Sequence, residues 1–124
     1  MPIETSVEGD LVTFRVTGSP KAPQIMQAIS NHFSRTPTKL ALWDLRDAIL
    51  ASIDAAEFEM LMENADRYAG VRGPGARAAI VTRDGADALL ARAYEAHAQG
   101  RGAAINTRFF ADLASAQAWL RSSG

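Results

Sequence analysis

From Leu40 to the C-terminus the chain repeats one alternation, a short apolar or period-two run followed by a stretch of period 3.6. Strand, helix and strand in that succession call for right-handed crossovers and parallel pairing, so this alternation confines the chain to an α/β architecture. The first strand of the series is Leu40 to Trp43. A helix follows from Ile53, with Phe58, Leu61, Met62, Ala65 and Tyr68 or Ala69 at helical spacing, and Gly70 to Gly75 stops it. Arg77 to Thr82, around AAIV, is the next strand. Asp84 then caps a helix that carries Leu90, Ala93, Tyr94 and His97 on one side. Ala104 to Phe110 is the last strand, with Ile105, Thr107 and Phe109 on one face. Asp112 caps a final helix with the stripe Leu113, Ala116 and Leu120, and Trp119 beside it.

Two alternating runs stand before the series. Ile3 to Glu8 and Leu11 to Thr17 flank Gly9-Asp10, the pattern of a β-hairpin. After the break at Gly18-Ser19-Pro20, a helix with the stripe Ile25, Ile29 and Phe33 runs through about Ser34, and Pro37 closes it. The order is therefore ββαβαβαβα, a five-stranded mixed sheet in which strand 1 alone is antiparallel. The edge strands read as covered on one face, which leaves open what lies over the other.

With 124 residues the chain fits one domain, residues 1–124, able to bury about two-thirds of the surface it exposes when unfolded. The absence of cysteine excludes disulfides, thiolate catalysis and cysteine metal sites. No apolar run approaches the roughly 20 residues of a membrane span, and MPIETSVEGD has no signal-like segment. These features lead to the expectation of a cytoplasmic protein without stable membrane insertion. A net charge of −1 gives no pull toward nucleic acid. The charge is uneven, however: every basic residue after position 66 is arginine. This is read either as halves that cancel in space or as an arginine-lined patch.

The segments ALWDLRDA (41–48), RAAIVTRD (77–84), LLARAYE (89–95) and FFADLASAQAWL (109–120) resemble a family of small bacterial proteins. It is known as SpoIIAA-like, or as STAS and CRAL-TRIO-like, after anti-sigma-factor antagonists and lipid-transfer domains. The resemblance implies a right-handed β-α superhelix with strands added in sequence order. In anti-sigma-factor antagonists a strand ending in Asp-Leu is followed by an Asp-Ser pair at the next helix start, and that serine is phosphorylated to switch partner binding. Here Asp44-Leu45 matches. Ser52 stands where the family has Asp, and Ile53 where it has the serine, so the phosphoserine motif is not intact.

Read from the residues, Ser52 is an N-cap for the helix that follows. Asp44 and Asp47 flank Arg46 near the C-terminal end of a strand, where α/β folds often place sites; they are equally at home as turn residues. Asp44, Arg46, Asp47 and Ser52 form the expected partner or ligand surface. Trp43 and Leu42 face opposite ways, and an exposed Trp43 on the less covered face would mark a lipid-like ligand or a homodimer contact. Arg92, within reach of a carboxylate on a neighbouring helix, and Tyr94, a core-edge aromatic, are further ligand-contact candidates. His32 and His97 lie near helix C-termini, where a cation meets the helix dipole favourably. No histidine pair has metal-ligand spacing, no nucleophile elbow occurs, and Gly70 to Gly75 precedes a strand rather than a helix, so no metal, cofactor or catalytic residue is assigned. Two functions follow as expectations. One is a non-catalytic protein-interaction or regulatory domain; the other is a carrier of a small apolar or lipid-like ligand.

Overall fold

In the computed structural model, which describes residues 3–50, 53–83 and 105–122, the two alternating N-terminal runs form β1 (Ile3–Glu8) and β2 (Leu11–Gly18). They pair antiparallel from Ile3↔Val16 to Glu8↔Leu11. A two-residue turn between twisted strands needs positive φ, and Gly9 supplies it at φ 61°. Next come α1 (Ala22–Phe33), β3 (Leu40–Ala48), α2 (Ala55–Asp66), the single turn α3 (Ala69–Arg72), β4 (Arg77–Val81), β5 (Asn106–Phe110) and α4 (Leu113–Arg121). The sheet order is β1-β2-β3-β4-β5, and β1 alone runs antiparallel to its neighbour. The strands thus add in sequence order, as the alternation requires. The helix expected from Asp84, with Tyr94 and His97, lies outside the described residues.

Alternation along β2 decides the main core. Val12, Phe14 and Val16 are fully buried on the face that carries α1 and α2. Ile25, Ile29 and Phe33 of α1 and Phe58 and Leu61 of α2 close over them, as helical spacing predicts. The opposite face is covered as well. Leu42 of β3 and Ala79 and Val81 of β4 pack under Ala116 and Leu120 of α4. The expectation of one-sided edges is therefore corrected at β5, where Phe109 joins the first cluster and Phe110 the second. At β1 it is corrected in the other direction, for the strand is exposed on both faces apart from a half-buried Ile3.

Two boundaries differ from the sequence reading. β3 does not stop at Trp43 but continues to Ala48, because its main chain goes on pairing with β2 through Thr17↔Asp47 and Gly18↔Ala48. Its polar residues resemble a loop only while the neighbouring strand is out of view. The cap of α2 is Asp54 rather than Ser52: Asp54 accepts from the Glu57 N–H at 2.8 Å, and Glu57 accepts from the Asp54 N–H at 3.1 Å. A carboxylate with a glutamate three residues on satisfies two free helix donors at once. Asp112 caps α4 as expected, accepting from the Ser115 N–H at 2.7 Å. At the other end of α4, Arg77 donates to the carbonyls of Trp119 and Ser122.

Phe14→Ala is expected to lower unfolding stability by ~3–5 kcal/mol in urea titration, since it empties a filled core position. Val7→Ala on the half-exposed face of β1 is expected to change it by less than ~0.5 kcal/mol.

Candidate functional site

Asp44 and Asp47 are three residues apart on one strand and would face opposite sides of a regular sheet. They do not, because the register shifts between β2 and β3: Arg15 pairs with Asp44, and two positions on, Thr17 pairs with Asp47. One extra residue of β3 is accommodated in this bulge, and both carboxylates come to lie beside Arg15. Arg15 donates to Asp47 at 3.2 Å. Asp44 receives both Nε and Nη2 of Arg46, at 2.9 and 3.0 Å, and the Arg46 N–H at 3.3 Å. Arg83, just past β4, donates Nε to the Arg46 carbonyl at 3.1 Å and lies 3.7 Å from Asp47. Five charged side chains from three strand ends thus form one rim, bordered by Thr82 and Ala111.

The electrostatics suit recognition rather than proton transfer. Asp44 is buried, and its carboxyl is held below the usual range, first by the hydrogen bond from Arg46 and against the opposing effect of burial. Arg46 is correspondingly pushed up, chiefly by Asp44. Neither is poised to exchange a proton near neutral pH. The exposed Arg15–Asp47 pair contributes about 0–1 kcal/mol, whereas the forked Arg46–Asp44 contact fixes an orientation. Ile49, 60% exposed, follows directly after β3. Among the described residues no group of three His, Cys, Asp or Glu side chains converges as metal ligands.

Trp43 lies on the face of α1 and α2, stacked on Phe14 with ring centroids 4.1 Å apart. The condition for a lipid-like ligand or homodimer contact at an exposed Trp43 is not met, for Trp43 is half-buried against the core and Leu42 fills the opposite face beneath α4. Trp43 does line an apolar cavity of about 110 Å³ with Phe33, Leu61 and Ile80. Arg72 also lines that cavity and was not legible as a functional residue. It sits in the glycine-rich stop after α2, where an arginine ordinarily points to water, yet it is 6% exposed. Its guanidinium donates to the carbonyls of Thr38, Lys39 and Arg77 and lies 4.6 Å over the Phe33 ring. Burial lowers its pKa to about 10, so it remains a cation at neutral pH.

His32 is likewise corrected. It lies in the last turn of α1, as expected, but as a buried ring rather than a cation serving the helix dipole, 3.1 Å from the Thr38 hydroxyl and edge-on to Phe14. Burial, and then the charge of Arg72, lowers its pKa. Ser52, Arg92, Tyr94 and His97 lie outside the described residues. Of the other expected site residues, Asp44, Arg46 and Asp47 are brought together, while Trp43 belongs to the cavity on the opposite face. Arg15 and Arg83 complete the rim; Arg15 was readable as a polar-face residue of β2, but its partner was not.

Solved structures share this architecture. An uncharacterized protein of the DUF3478 family from Shewanella loihica PV-4, with a SpoIIAA-like fold, superposes with a TM-score of 0.57 at 18% identity. That match covers 95% of this chain and 91% of the other. An anti-sigma factor antagonist from Mycobacterium paratuberculosis superposes with a TM-score of 0.61 at 16% identity, over 97% of this chain and 93% of the other. The fold of the chain is therefore SpoIIAA-like. No protein-family model matches the sequence, and no curated protein matches it. Among the described residues no helix is long and apolar enough to cross a membrane.

The environment of His32 makes stability depend on pH. A histidine whose pKa is lower in the folded state than its ordinary ~6.5 binds fewer protons there than in the unfolded chain. Stability is then complete above about pH 6.5 and declines as the pH falls below it; the depressed Asp44 carboxyl adds its own loss only at pH values below the ordinary carboxylate range. Urea midpoints are expected to drop between about pH 7.5 and about pH 5.5, and His32→Gln to flatten that slope.

Proposed function

We propose that the chain is a non-catalytic regulatory domain, a single unit over residues 1–124 working in the cytoplasm, that engages a protein partner through the rim of Asp44, Arg46 and Asp47. Arg15, Arg83 and Ile49 complete the surface. The observation that carries this reading is the bulge, which gathers charges of both signs at the C-terminal end of β3 next to an exposed isoleucine. Fixed charges around an apolar contact give specificity and register to a protein interface. The fold shared with an anti-sigma factor antagonist supports a partner of the anti-sigma-factor kind. A phosphoserine switch does not enter the proposal: Ile53, at the position expected for the serine, has no hydroxyl and is 2% exposed.

The carrier reading draws less support in its lipid-like form. The apolar cavity, at about 110 Å³, is smaller than the roughly 300 Å³ at which pockets for drug-sized ligands begin.

The test is quantitative capture from a native lysate with the wild-type chain and with Asp47→Arg and Ile49→Asp, followed by pairwise titration of the purified partner. A partner held by the wild type and weakened by ~10-fold or more in both variants is expected, since loss of a central interface contact is worth at least ~1.4 kcal/mol. Identical capture by all three chains, or multiple turnover of a substrate by the purified protein, would overturn the reading.

A further inference from the structure

The buried guanidinium of Arg72 has more donors than its surroundings use. Nε bonds to the Thr38 carbonyl at 2.9 Å, and Nη2 bonds to those of Lys39 and Arg77, each at 3.0 Å. Nη1 makes no hydrogen bond with the described residues. It is not sealed in either, since among those residues no fully buried side-chain nitrogen or oxygen lacks a partner. No carboxylate pairs with Arg72 among the described residues, and its three partners are neutral carbonyls. The charge of Asp10 offsets part of the cost of burying this cation without contacting it, and an anion brought into direct contact with a buried guanidinium is favoured.

The cavity that Arg72 helps to line is apolar. Arg72 shares the cavity lining with Phe33, Trp43, Leu61 and Ile80. Asp66, the other charged residue of the lining, is engaged in an interaction of its own. The volume of about 110 Å³ is below the ~150 Å³ that accepts six-carbon benzene, which limits the hydrocarbon part of an occupant to about four carbon atoms. We infer that the cavity between the sheet and helices α1 and α2 binds a small amphipathic carboxylate, its hydrocarbon part against Phe33, Trp43 and Leu61 and its anionic group on Nη1 of Arg72. This site is separate from the rim at the end of β3 and does not rest on the regulatory reading.

Isovalerate is the probe, and its uncharged counterpart isovaleramide is the control. Trp119 lies on the opposite face, so in a Trp119→Phe background the emission reports Trp43 alone. Isovalerate is expected to shift that emission saturably and to move the Arg72 Nε–Hε cross-peak in the proton–nitrogen spectrum. Isovaleramide is expected to bind ~10-fold more weakly, one charge-assisted hydrogen bond being worth ~1.4 kcal/mol or more. Arg72→Met removes three bonds to buried carbonyls and risks unfolding, so Ala65→Leu, which fills the cavity from α2, is the second variant. It is expected to abolish both signals while leaving the circular dichroism spectrum native. Equal binding of acid and amide, no saturable response to isovalerate, or unchanged binding in Ala65→Leu would each overturn the inference; acetate binding as well as isovalerate would remove its hydrocarbon part.

Discussion

One buried guanidinium organises the entry to the sheet. Arg72 bonds to Thr38 and Lys39 immediately before β3 and to Arg77 at the start of β4, and it presses on Phe33 of α1. These carbonyls lie where two parallel strands begin, before the ladder can satisfy them on every side. A rigid fork of donors meets several at once, which an ammonium group would not do in the same plane. From that point the register Leu40↔Arg77 carries through to Asp44↔Val81. Every later assignment of faces follows from it: Leu42 and Ala79 turn toward α4, and Trp43 and Ile80 toward the cavity.

The opposite end of the same strands has a different character. Beyond the pairing with β4, β3 goes on pairing with β2 alone among the described strands, and there the register slips. The slip turns a spacing that would divide Asp44 from Asp47 into one that gathers them beside Arg15. Strand ends at the C-terminal side of parallel sheets are where main-chain order gives way to side-chain chemistry. In this chain that chemistry is charge pairing, with the Asp44 carboxyl held in its ionised form by Arg46.

Much of the architecture was legible in periodicity. The alternation Val12, Phe14, Val16 and the stripe Ile25, Ile29, Phe33 identify the core faces without any coordinates, because burial on one side imposes period two on a strand and 3.6 on a helix. Asp112 was equally readable as a cap. Asp54 was not, since Ser52 and Asp54 are both good caps and only the path of the chain between β3 and α2 chooses one. The length of β3 was missed for a related reason. DLRDA is polar in sequence and pairs as a strand only because β2 stands beside it.

The sequence by itself determined the strand–helix succession, the apolar faces and the absence of thiol chemistry, since each follows from residue type and local spacing. The tertiary structure alone decided which charges meet, because Arg15, Asp47 and Arg83 are distant in the chain and a single bulge sets their alignment. It also decided that His32 and Arg72 are interior groups. Burial is a property of what surrounds a residue, and nothing in the letters around His32 or Arg72 reveals that Thr38, Phe33 and the start of β4 converge on them.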